Sequence, residues 1–352
     1  MLCIAILFVC VALFTACNQD AEPNTLAPGL YDANDNLVAS WDELVNTYGM
    51  DVTKDYTKET FVDETTSAMY VLSNNEALSL GTKLVIGNVD KIGDYALISC
   101  KSLASIVIPD SVTSIGDGAF GYCINLTSIN IPDGVTSICG SAFEYCKSLT
   151  SINIPDSITS IGNNAFYNCT SLTSINIPDG VTSIGNGTFK NCTSITSIEI
   201  PDNVTSIGGS AFDACESLTS INIPDGVTSI GQSAFSGCIS LTNITIPDSV
   251  TIIGFYAFYY CINLASIELP DSLPDIANYA FSECTSLTNI TIPDSVTFIS
   301  YNAFNNCTSL TSVTFEGTVE EWNAIIYAID AWNGVPATEV VCSDGTVTLI
   351  TE

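Results

Sequence analysis

The chain has no histidine and no arginine, and its seven basic residues are all lysine. Without histidine, the commonest general base is missing. Without arginine, so is the planar clamp that usually grips phosphate or carboxylate. No nucleophile elbow, phosphate loop or zinc-like spacing takes their place. Glu320 and Glu321 are paired carboxylates, but at a helix start they serve the helix dipole. Catalysis is not expected, and no cofactor or metal is implied. Only 13% of the 352 residues are charged, yet 38 acidic residues set against the lysines leave a formal net charge of −31. Such a chain repels phosphate backbones and anionic lipid surfaces. Nucleic acid is excluded as a partner; basic partners and divalent cations are permitted.

The N-terminus reads as an export signal. Leu2 to Phe14 is apolar but too short for a comfortable membrane span. It runs into Leu13-Phe14-Thr15-Ala16-Cys17 and then polar Asn18-Gln19-Asp20. This resembles a bacterial lipobox, which implies that Cys17 is lipidated and becomes the mature N-terminus; Phe14 and Thr15 depart from the stricter form. A plain secretory signal cut nearby is the alternative. Localisation is then at the bacterial envelope, with a lipid anchor in the membrane.

Apolar residues make up 47% of the chain and mean hydropathy is +0.37, ample for a large core. That material is periodic. Leucine or isoleucine opens a 23-residue unit at positions 80, 103, 126, 149, 172, 195, 218, 241, 264 and 287, and Leu310 starts an incomplete one. Such a period points to a solenoid. In the unit that begins at Leu126, Ile129 and Ile131 alternate with Ser128 and Asn130, the pattern of a half-buried strand. Pro132 ends that strand, because it cannot donate to a ladder. Pro-Asp-Gly then makes a turn, and Val135 and Ile138 form a second, shorter strand. Ala142, Phe143 and Cys146 plug the last side on a helical turn, and the phenylalanines at 120, 143, 166, 189, 212, 235, 258, 281 and 304 stack as a spine. Both raw ends need covers. The expected organisation is a signal peptide over 1–17, a tether over 18–29, an N-terminal cap over 30–79, the solenoid over 80–316 and a C-terminal cap over 317–352. Ser40-Trp-Asp-Glu43 and Thr318-Val-Glu-Glu321 have capping-box spacing, so each cap holds a short helix. Val71-Leu72 is expected to cover the first repeat as a strand, with a final strand near Val340-Val341 or Val347-Leu349.

The unit Leu-x-x-Ile-x-Ile-Pro-Asp-x-Val-x-x-Ile-Gly-x-x-Ala-Phe-x-x-Cys resembles the BspA-like, treponemal-type leucine-rich repeat, over about two thirds of the chain. The resemblance implies a right-handed leucine-rich repeat solenoid, mainly β, at a bacterial surface. Several relatives bind matrix proteins or other cells, which implies a non-catalytic binding role.

Three columns are candidates for chemistry. The cysteines at 100, 123, 146, 169, 192, 215, 238, 261, 284 and 307 read as buried fillers rather than metal ligands or disulfides. The aspartates at 110, 133, 156, 179, 202, 225, 248, 271 and 294 read as turn residues, with weak calcium binding as the alternative. The exposed strand positions form a polar face: Ser128, Asn130, Ser151, Asn153, Ser174, Asn176, Ser197, Glu199, Ser220 and Asn222. That face is poor in the aromatic anchors that dominate binding energy. Tyr256, Tyr259, Tyr260, Tyr279 and Tyr301 lie on turns of the C-terminal repeats and form the expected partner contact. An adhesin-like module binding a protein or cell-surface ligand is favoured; a passive envelope spacer and a glycan-lattice binder are the alternatives.

Overall fold

In the computed structural model, residues 26–57, 68, 72, 78, 81–328 and 330–349 are described. Leu80, Val71 and the whole stretch from the N-terminus to residue 25, Cys17 included, lie outside them. The chain is a β-solenoid of about eleven turns, and each coil has three sides.

The first side carries the leucine-opened strands. Ser105–Val107, Ser128–Asn130 and Ser151–Asn153 pair in parallel, residue against its own equivalent one repeat on. Ile106, Ile129 and Ile152 point inward and their neighbours outward, as the alternation requires. Around residue 174 the ladder thins to a single bridge, Asn176 to Glu199, before strands resume at Ser197–Ile198. The turn that follows closes through the backbone: Val135 N–H donates to Pro132 O at 3.0 Å, and Val181 to Pro178 at 3.0 Å. The second side is the short strand, such as Ser137–Ile138 pairing with Ser160–Ile161.

The third side is not a helical turn. It is a string of tight turns in which alternate N–H groups point to the next coil. Ser141 donates to Asn163 O at 2.9 Å, Phe143 to Ala165 O at 2.8 Å and Tyr145 to Tyr167 O at 2.7 Å. Between them Glu144 and Cys146 close back onto Ser141 and Phe143. The geometry depends on left-handed backbone at Ser141 and Tyr145, with φ of 54° and 60°, and the same two columns are left-handed in coil after coil. A regular helix would turn its N–H groups along its own axis and leave the coils unlinked on this side.

Inside, nine phenylalanines from Phe120 to Phe304 are fully buried. Their ring centroids lie 5.3–5.6 Å apart, with planes within 2–14° of parallel. At that distance parallel rings are offset-stacked, the arrangement their quadrupoles prefer. Hydroxyls add a further seam: Thr127 donates to Ala104 O and Thr150 to Thr127 O, both at 3.1 Å.

The caps continue these ladders. The N-terminal cover is a hairpin of Gly29–Tyr31 and Leu37–Ser40, whose first strand pairs antiparallel with Lys83–Val85. Leu72, expected in a covering strand, is helical instead. Asp32 accepts from the amides of Asn34 and Asn36, at 2.8 and 2.9 Å, and so closes the turn between the buried strand Gly29–Tyr31 and the strand that buries Ala39. A short helix, Trp41–Asn46, follows with Ser40 as its cap. Asp55 then takes the place of a missing coil: it accepts the Asp94 amide at 3.1 Å, as Asp94 accepts Asp117 and Asp117 accepts Gly140. Lys91 holds Asp55 at 3.1 Å.

At the other end, Thr318 and Glu321 form a full capping box over the helix Val319–Ala324. Trp332 stacks on Phe304 at 4.6 Å and 7°, so an indole finishes the phenylalanine spine. Glu339–Cys342 and Gly345–Thr348 are both strands, a hairpin added to Ser312–Phe315. Replacing Phe212, mid-spine, with alanine is expected to cost about 3–5 kcal/mol of stability, read as a lower midpoint in urea. A midpoint equal to wild type would show that the spine is not bearing the core.

Candidate interaction surface

The ten predicted polar strand residues are all exposed on the first side. Register brings them into rows: Ser128 beside Ser151, Asn130 beside Asn153, Ser197 beside Ser220. The Asn153 amide donates to the Asn130 carbonyl at 2.7 Å, so part of the row's hydrogen-bonding capacity is spent along the row itself. What remains is a polar surface without a large anchor.

The nine aspartates are exposed at the turns. Backbone bonds close those turns, so the carboxylates are not needed for closure. Among the described residues no group of histidine, cysteine, aspartate or glutamate is arranged to hold a metal ion. The row adds to the acidic field of the surface.

The cysteine ladder is buried and its thiols are free. Each thiol from Cys123 onward donates to a backbone carbonyl of the preceding coil: Cys123 to Leu97, Cys146 to Phe120, and so on to Cys307 and Phe281, at 3.1–3.2 Å. These are fillers that also satisfy a buried acceptor. Burial pushes their ionisation up, to about 12 at Cys123, Cys192 and Cys261. Cys139 differs, being half-buried where other coils carry the corner glycine.

The tyrosines are drawn together by the third side. Tyr256 stacks on Tyr279 at 4.7 Å and 7°, meets Tyr259 edge-on at 5.7 Å, and Tyr259 touches Tyr260 at 6.1 Å. Tyr301 meets Tyr279 edge-on at 5.7 Å, so all five predicted residues form one cluster. Tyr260 and Tyr301 are 47% and 46% exposed, and Phe255, which precedes Tyr256 in the chain, is 51% exposed. Three of the five, Tyr256, Tyr260 and Tyr279, stand at left-handed backbone with φ of 57–60°. Glycine and asparagine fill the same columns elsewhere, as at Gly187, Asn164 and Asn191, because they adopt that backbone at lower cost. A second group, Tyr122, Tyr145 and Tyr167, lies on the same side of earlier coils; Tyr122 stacks on Tyr145 at 4.6 Å. Tyr122 and Tyr145 each occupy a left-handed site, with φ of 59° and 60°, which a turn assignment from sequence does not reveal. The signal was there in the glycines and asparagines that alternate with them.

A long regular surface with an aromatic side defines a leucine-rich repeat solenoid, a scaffold type that is typically non-catalytic and binds proteins. The chain belongs to the BspA type leucine-rich repeat region family, whose model matches residues 90–219 and 205–329. Among solved structures, the chain is similar to a leucine rich cell surface protein of Faecalibacterium prausnitzii at 34% identity, over 70% of this chain and 76% of that one, with a TM-score of 0.49. It is similar to the T. pallidum leucine rich repeat protein at 32% identity, over 45% and 77%, with a TM-score of 0.42. A Bacteroides ovatus leucine-rich repeat protein is 27% identical over 74% and 86%, with a TM-score of 0.44. No curated protein matches the chain. Among the described residues no helix is long and apolar enough to cross a membrane.

The ladder thiols carry a pH prediction. An unfolded thiol ionises near its ordinary value of 9.0, whereas burial raises the ladder thiols, holding the protons of Cys123 and Cys192 to about 12. The native state therefore binds more protons between those values, and stability falls as pH rises through that window. The urea midpoint is expected to be level from about pH 7 to 9 and to decline above it, and the ladder thiols to stay silent to a thiol reagent until unfolding. Rapid labelling of Cys192 in the native protein would contradict this.

Proposed function

We propose that this chain is a lipid-anchored surface protein that binds a protein or cell-surface ligand through the tyrosine side of its C-terminal repeats, without catalysis. The observation that carries this reading is the backbone conformation of Tyr256, Tyr260 and Tyr279. A tyrosine at left-handed backbone costs about 1–2 kcal/mol relative to right-handed backbone. Three held there side by side, with half-exposed rings stacked across coils, favour a purpose beyond covering a turn. Tyrosine is a frequent binding anchor because it brings a large rigid ring and a polar tip. The polar strand rows lack such anchors and serve as the flanking surface. The Faecalibacterium relative is described as a cell surface protein. Anchorage through Cys17 follows from the lipobox-like run before it. The tether expected over 18–29 stops short of Gly29, which pairs with Ser40 and Val85 in the covering hairpin, so the polar segment between Cys17 and that hairpin acts as the tether.

Serine is already found at each tyrosine's column, as Ser233, Ser236 and Ser99, so serine replacements keep the coil. The combined variant Tyr256→Ser, Tyr259→Ser, Tyr260→Ser is expected to lose binding to host matrix proteins or cells while melting as wild type does. Unchanged binding would dismiss the patch. Labelled palmitate is expected to enter the wild-type protein and not Cys17→Ser; label that survives the substitution would remove the anchor from this reading.

A further inference from the structure

Two glycines of one coil open a notch in the third side. Gly118 and Gly121 stand where the next coil carries Ser141 and Glu144 and the preceding coil Tyr95 and Ile98. The missing side chains leave a cavity of about 300 Å³. Its two walls differ in chemistry. On one, the Tyr95 ring lies over Gly118, where any Cβ would collide with it, and Ile98 faces Gly121 at 3.6 Å from a Cβ position. On the other stand Ser141 and Glu144. Tyr122 closes the side, with its ring braced on Tyr145 and its hydroxyl donating to Glu144 at 3.3 Å. Like its counterparts at the C-terminal patch, Tyr122 holds left-handed backbone, with φ of 59°.

An apolar, aromatic wall facing a carboxylate matches a side chain with a methylene stem and a cationic head. The same side of the molecule already makes a pair of that kind internally: the Lys147 ammonium lies 5.7 Å from the Tyr145 ring centroid. The net charge of −31 draws cationic partners toward the surface over a longer range. We propose that the notch between Tyr95 and Glu144 receives a lysine or arginine side chain of a basic partner protein. The stem lies along Tyr95 and Ile98, and the head meets Glu144 and the Tyr122 ring. This deepens the surface-binding reading above by naming the partner's chemistry, at a position several coils from the C-terminal tyrosines.

The test is fluorescence anisotropy of a labelled tetralysine peptide with the full chain at physiological ionic strength. Gly121→Tyr fills the notch with a side chain that Tyr167 already carries two coils on, and Glu144→Gln removes the carboxylate. Each is expected to weaken peptide binding by about fivefold or more, the size of one partly desolvated cation–π contact. Asp156→Asn, an equal charge change at an exposed turn away from the notch, is expected to leave binding unchanged, and a norleucine peptide is expected not to bind. Wild-type affinity in Gly121→Tyr, or an equal loss in Asp156→Asn, would overturn the notch in favour of diffuse charge attraction. The Tyr256, Tyr259, Tyr260 serine variant is expected to keep tetralysine binding, so failure of the notch and failure of the C-terminal patch read out separately.

Discussion

Everything in this molecule depends on one coil sitting squarely on the next. The constraint is set from inside by the phenylalanine spine, in which fully buried rings repeat at 5.3–5.6 Å in nearly parallel planes. Rings at that spacing accept no inserted or deleted residue between Pro-Asp turns, because a single-residue slip would carry the spine out of the core and the polar residues into it. The unbroken 23-residue period is the sequence's record of that demand. Backbone ladders on the strand side and the turn side, hydroxyl seams and thiol-to-carbonyl bonds then reinforce the same register.

Because the interior is so nearly uniform, surface differences stand out as departures from a background. On the strand side the departures are small: serine, asparagine, threonine and glutamate exchange at positions that all face water. On the turn side they are large. Glycine, asparagine, serine and tyrosine compete for two left-handed columns, and the choice determines whether that coil presents a groove, a flat patch or a stacked ring. Gly118 and Tyr122, in one coil, make a groove and its wall; Tyr256 and Tyr260, also in one coil, make a raised aromatic patch. The relief of the surface therefore varies most on the side where the backbone is left-handed, since a position that tolerates glycine can also be left empty.

The ends follow the same logic by imitation. Asp55 accepts the amide that a preceding coil's Asp would accept, and Trp332 stacks where a further phenylalanine would. Each cap shields the core by continuing its ladder for one more step and then closing with an antiparallel hairpin. The exposed ion pairs of Lys83 with Asp35 and Lys91 with Asp55 tie the N-terminal cover down, each worth at most about 1 kcal/mol in water.

The sequence alone determined the solenoid, its period, its strands, its spine, the buried cysteines and both capping helices, because each of these rests on a local pattern repeated or on a side chain and its near neighbours. The C-terminal tyrosines were also legible as a group, since five fall within three coils. The tertiary structure decided the rest. That Gly29–Tyr31 pairs with Lys83–Val85 and covers the first repeat, while Leu72 is helical, depended on which segment could dock, something no local pattern encodes. The turn side was misread as helical because Ala-Phe-x-x-Cys has helical spacing; its true form depends on hydrogen bonds to the neighbouring coil. The notch at Gly118 and Gly121 exists only once three coils are stacked, when side chains far apart in sequence become the walls of one space.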